Sequence, residues 1–132
     1  MDIASFDDLI LAARSQAEPQ RLLLVFAGSE LPGDSTPAQR EAFEQGRGGV
    51  LVPLMSVDKL PEELTSFAAL EEESAQFAKD WLLVFAAGFP LAHAPTSEAA
   101  EAPLQAMVQA IHRGDHASFI SFDRSGEVVE LQ

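Results

Sequence analysis

The pentapeptide Leu23-Leu24-Val25-Phe26-Ala27 recurs identically as Leu82-Leu83-Val84-Phe85-Ala86. Each copy is a continuous apolar run, the pattern of a strand buried on both faces of a covered sheet. The landmarks around the copies follow one order. A helical pattern opening Ser-Phe-x-x-Leu precedes each, at Ser5-Phe6…Leu9 and at Ser66-Phe67…Leu70. A proline suited to the first position of a helix follows each, Pro37 and Pro103, and a second strand then ends in Ser-x-Asp, at Ser56-Val57-Asp58 and Ser121-Phe122-Asp123. Colinear matches of this kind point to a duplicated α-β-α-β unit. Repeat one covers about 5–60 and repeat two about 66–126, with a closing strand over 127–131.

The expected fold is therefore one α/β domain over 1–132, a mixed sheet of about five strands covered by about four helices. Each strand–helix–strand passage is expected to be a right-handed crossover, which would make its two strands parallel. Local signals place the elements. Ser5 with Asp8 three residues on forms a capping box, and Thr36-Pro37-Ala38-Gln39 forms a second, for a short helix ending at Gly46. Pro53 has no N–H to give to a ladder, so Val50–Val57 is expected to be an edge strand or to carry a bulge. Ser66 caps a helix with Phe67, Leu70, Ser74 and Phe77 on its inner side, and Pro103 opens a helix whose Leu104, Met107, Val108 and Ile111 share one stripe. Ala117–Phe122 is the fourth strand, and Asp123-Arg124-Ser125-Gly126 is the turn of a closing hairpin.

Composition excludes whole classes of function. There is no cysteine, hence no disulfide, no thiol chemistry and no sulfur-ligated zinc. With 21 acids against 8 bases the net charge is −13, a surface that repels nucleic acid and anionic lipid but suits a basic protein partner. The start carries three early acids and no basic region before an apolar one, and the apolar runs are too short to span a bilayer, so the expected location is the cytoplasm.

Sites in open α/β sheets gather beyond the carboxyl ends of strands. Here that selects the loops Gly28–Thr36 and Gly88–Ala102 together with Asp58 and Asp123. The first loop lacks both the Gly-Lys-Ser/Thr ending of a phosphate loop and the G-x-G-x-x-G dinucleotide pattern; Ser29 and Thr36, with Thr96 of the second loop, are the ligand-binding candidates, with an anion at the helix start near Thr36 as the chemistry. Asp58 and Asp123 could pair as acid and base or hold magnesium, or could each cap the turn that follows. His93 stands beside Thr96 and Ser97, but no nucleophile elbow surrounds them and helix capping accounts for the hydroxyls. His112 and His116 are four apart with Gly114 between them, so no metal set is expected. No cofactor motif is present.

The motifs Ser-Phe-Asp-Asp-Leu, Leu-Val-Phe-Ala-Gly-Ser-Glu-Leu-Pro, Val-Pro-Leu-Met-Ser-Val-Asp-Lys and Ala-Pro-Thr-Ser-Glu-Ala-Ala-Glu-Ala-Pro-Leu make the chain similar, over essentially its whole length, to a small family of proteobacterial proteins. Members of that family often carry the label ribonucleotide reductase subunit alpha. The resemblance implies an intact fold and a bacterial cytoplasmic origin. The chemistry in that label starts from a cysteine thiyl, so in a chain without cysteine it carries over no catalytic residue.

The leading expectation is a non-enzymatic binding or protein-interaction domain, forming a homodimer through a sheet edge or helical face or binding another protein. Two alternatives stand beside it. One is a small enzyme using Asp58, Asp123 and His93 in a cleft between the repeats; the other is an acidic regulator of a basic partner. A pocket lined by those three residues would favour the enzyme, and an apolar patch would favour the binder.

Overall fold

The computed structural model describes residues 3–30, 35–44, 50–77 and 80–129. The order is α1 (Phe6–Arg14), β1 (Gln20–Glu30), α2 (Pro37–Glu44), β2 (Val50–Lys59), a single 3-10 turn (Pro61–Glu63), α3 (Phe67–Ala75), β3 (Leu83–Pro90), α4 (Ser97–His112), β4 (Ile120–Phe122) and β5 (Val128–Val129). The described residues thus hold five strands and four α-helices of an α/β fold, matching the expected sheet of about five strands covered by about four helices. The strands form one sheet in the order β2-β1-β3-β4-β5.

Their direction corrects the expectation of parallel pairs: every neighbouring pair is antiparallel. The crossover rule fixes the handedness of a connection between parallel strands, but it does not make the strands parallel. After β3, helix α4 packs on β2 and β1 rather than over its own strand pair, and the chain then returns beside β3 so that Ile120 pairs with Ala86.

The pentapeptide copies also differ in environment. In β1, Leu24 and Phe26 face the α1/α3 side, and Leu23, Val25 and Ala27 face α4. In the second copy Val84 and Ala86 face α1/α3, Leu83 and Phe85 face α4, and Leu82 is half exposed before the strand begins. Matching letters therefore sit on opposite faces. A strand period of two makes a one-residue phase shift exchange the two faces, and a run apolar at every position tolerates either phase.

Two cores result, one on each side of the sheet. On the first, Phe6, Leu9 and Ile10 of α1 and Phe67 and Leu70 of α3 pack with Trp81 on the sheet. Edge contacts of Phe6 with Phe122 and of Phe26 with Trp81, both at 5.1 Å between centroids, fill its centre. The indole N–H of Trp81 donates to the buried Ser74 hydroxyl at 2.8 Å. On the second side Ala100, Leu104, Met107 and Ile111 of α4 pack on Leu23, Val25, Ala27 and Phe85.

Several local features form as their residues dictate. Ser5 and Asp8 cap α1 reciprocally. β2 lies at the edge, and its ladder with β1 shifts register where Ala27 meets Pro53 and Phe26 meets Met55, leaving Leu54 as the extra residue of a bulge. A proline and a bulge together blunt this edge against pairing with another chain. Gly126 closes the β4–β5 turn at φ +84.

Others depart from expectation. Helix α4 begins at Ser97 under a Thr96 cap, so Pro103 is interior to it. Thr96 satisfies the first turn, and Ser97–Ala102 is free of glycine and β-branching, so the helix starts one and a half turns before the proline and tolerates the one missing N–H. β4 has only three residues of the expected 117–122. Phe77 lies beyond the end of α3 and is 74% exposed rather than inward. The expected stop of α2 at Gly46, and 130–131 of the closing strand, lie outside the described residues.

Candidate functional site

Asp58 and Asp123 are not brought together. Asp58 sits near the end of edge strand β2, opposite Leu23, whereas Asp123 follows β4 on the far side of β1 and β3. Three strand spacings, roughly 14 Å, separate them across the sheet alone. Each is already hydrogen-bonded, but only Asp123 caps its turn as expected; Asp58 is held by groups 37 and 39 residues away, because the fold brings β1 and the head of α4 beside it. Asp58 accepts hydrogen bonds at Oδ2 from an Nη of Arg21 and from the Ser97 hydroxyl, both at 2.7 Å. Asp123 accepts at Oδ1 from the Ser125 hydroxyl at 2.6 Å and from the backbone N–H groups of Ser125 and Glu127 at 2.9 and 3.1 Å. The Ser125 hydroxyl, with those N–H groups behind it, holds the Asp123 carboxyl below its ordinary 3.8. That is turn capping.

Of the other candidates, the segment carrying His93 and Thr96 is tied to Asp58, through the Ser97 hydroxyl and through Arg21 on the Ala94 and Pro95 carbonyls. His93 is exposed in the loop before α4, its ring 6.2 Å from that of Phe89. The Thr96 hydroxyl accepts from the N–H of Ala99, and Thr36 exchanges bonds with Gln39 at the head of α2. Ser29 lies within β1, opposite Leu51. His112 ends α4, and the His116 ring lies 5.8 Å from that of Phe85. Among the described residues no group of three or more His, Asp or Glu could hold a metal ion. Nor is any helix among them long and apolar enough to cross a membrane.

Sequence reasoning missed Arg21. It lies at the head of β1, 5% exposed, and its guanidinium donates to the carbonyls of Ala94 and Pro95 at 2.8 and 3.0 Å as well as to Asp58. The network ties the loop before α4 to the two strands beneath that helix. One signal was available: Arg21 shares the parity of Leu23 and Val25, which face α4. Every donor nitrogen of this guanidinium has an acceptor, which makes it a clamp.

What the α4 side offers is an open apolar groove of about 260 Å³. Its floor is Leu23 of β1 with Ala87, Gly88 and Phe89 of β3; one wall is Pro103, Ala106 and Met107 of α4, and the other is Phe119. None of these side chains is polar. The groove exists because the two sides of the sheet are covered unequally. Helices α1 and α3 share one side, whereas α4 lies toward β2 and β1 on the other. Helix α2 leaves Pro37–Glu41 exposed. Pro103 and Ala106, the small residues of the α4 wall, leave Ala87, Phe89 and Phe119 half-buried. The groove straddles the β1–β3 junction, where Leu23 pairs with Ala87.

No protein-family model matches the chain, and neither the curated proteins nor the solved structures contain a match.

Proposed function

We propose that this chain is a cytoplasmic, non-enzymatic interaction domain that binds another protein through the apolar groove beside α4. The observation that carries the reading is the chemistry of the lining: eight apolar residues from α4, β1, β3 and the segment before β4 converge on one concavity with no charged or catalytic side chain among them. Asp58, Asp123 and His93, on which an enzymatic reading would rely, lie on separate elements, and both carboxylates are already hydrogen-bonded, Asp58 to Arg21 and Ser97 and Asp123 to Ser125. A self-pairing through the β2 edge is disfavoured by Pro53 and the Leu54 bulge.

Site-specific photo-crosslinking tests this. A benzoylphenylalanine replaces Ala106, exposed on the groove wall, or Glu72, exposed on α3 on the other side of the sheet. The expected result in cells is a discrete protein adduct from position 106 and none, or far less, from 72. Equal adducts at both positions, or none at 106, would overturn the proposal.

A further inference from the structure

The groove and the charge of the chain together select its occupant. The net charge is −13. Four of the cations are already engaged with groups of the chain itself. Arg14 donates to the carbonyls of Pro61 and Leu64, Arg21 is buried against Asp58, Lys59 pairs with Glu73, and Arg124 pairs with Glu71 while lying over the Trp81 ring. Helix α4, which forms the groove wall, carries Glu98 and Glu101 exposed to solvent. The slot itself is uncharged, and a partner approaches it on a chain of net charge −13, whose wall helix also ends on an exposed cation, Arg113. A second copy of this chain would bring the same −13 to the contact, and nucleic acid or anionic lipid would also be repelled. A cationic partner with an apolar side gains from both features, the field raising its rate of encounter and the groove holding it.

We infer that the occupant is a lysine- and arginine-rich amphipathic segment of a partner protein, its apolar side seated between α4 and β3; this rests on the binding reading above. The short side chains of Pro103 and Ala106 let such a segment approach the α4 backbone closely. The α4 wall of the groove, Pro103 to Met107, spans about one helical turn, so the slot takes one or two apolar side chains of the segment while its basic residues face the surrounding acidic surface.

The test uses the whole chain and three synthetic 18-residue peptides: a Leu/Lys amphipathic helix, its Leu/Glu counterpart, and a Lys/Ser version lacking the apolar side. Binding is followed by fluorescence anisotropy, alongside sedimentation of the protein alone. The expected result is that only the Leu/Lys peptide binds well, that raising salt from 0.05 to 1 M weakens it at least about tenfold, and that Ala106→Gln weakens it at least about fivefold with an unchanged melting temperature. Ala106 is solvent-exposed on a helix, so this variant keeps the fold. Equal binding of Leu/Lys and Leu/Glu peptides, sensitive to Ala106→Gln, would overturn the basic partner and keep the groove. Equal binding of Leu/Lys and Lys/Ser peptides, insensitive to Ala106→Gln, would overturn both. Dimerisation abolished by Ala106→Gln, with no peptide bound, would make the occupant a second copy and overturn the inference. If nothing binds and no dimer forms, both readings fall.

Discussion

Removing the Asp58 carboxylate tests how α4 is anchored. Arg21 is 5% exposed, and the Asp58 side chain is 15% exposed. In Asp58→Ala the guanidinium stays buried, loses its only carboxylate partner among the described residues, and keeps the carbonyls of Ala94 and Pro95. Breaking one side of a buried pair costs about 3–5 kcal/mol, and the retained carbonyls and slight exposure of Asp58 place this case near the low end, about 3 kcal/mol. For a domain of this size that lowers the melting temperature by roughly 10 °C. The double variant Arg21→Met, Asp58→Leu removes the buried charge as well and should lie within about 1 kcal/mol of the parent. Urea unfolding of the parent, Arg21→Met, Asp58→Leu and the double variant closes the cycle, with Asp58→Ala measured beside it. A loss below about 1 kcal/mol for Asp58→Ala, or a double variant no more stable than Asp58→Ala, would show that the clamp is not what holds the head of α4.

Three further outcomes follow from the packing. Ser74→Ala leaves the buried Trp81 N–H without its acceptor and should cost about 1–3 kcal/mol, checked by chemical denaturation; a neutral result would mean that the indole finds another partner. Gly126→Ala sets a Cβ 2.8 Å from the Phe67 ring at φ +84, so strain and overpacking add to a loss of about 2–4 kcal/mol in the same assay. Asp123 is held below its ordinary pKa, so the stability it gives is fully present above the unfolded value and drains away as pH falls through the folded one; Asp123→Asn should flatten that acid limb in urea midpoints taken from pH 5 downward, and an unchanged slope would contradict the turn assignment.

The sequence spoke most clearly where the physics was local. The Ser5–Asp8 box, the Thr36–Gln39 cap, the edge character of the Pro53 strand and the Gly126 turn each depend on a few neighbouring residues. It was silent where the outcome depended on distant packing. Nothing near Pro103 announces whether a helix begins there or at Thr96, because the interior proline removes a single bond that the rest of α4 outweighs. The uniformly apolar pentapeptides suit either face of a sheet, so they revealed two buried strands but not which side each residue would take. The Arg21–Asp58 pair spans 37 positions and forms only because β1 and β2 run antiparallel. The groove is likewise non-local. Its small α4 flank, Pro103 and Ala106, was in plain view, but its depth depends on α4 lying over β1 and β2 and leaving β3 half-covered.

The most direct check on the central claim is a hydrogen-exchange comparison of the free protein with its complex with the protein captured at position 106. The account predicts slowed exchange in 87–89, in 103–107 and at 119, with α1 and α3 unchanged. Protection confined to α1 and α3, or to the β2 edge, would contradict it.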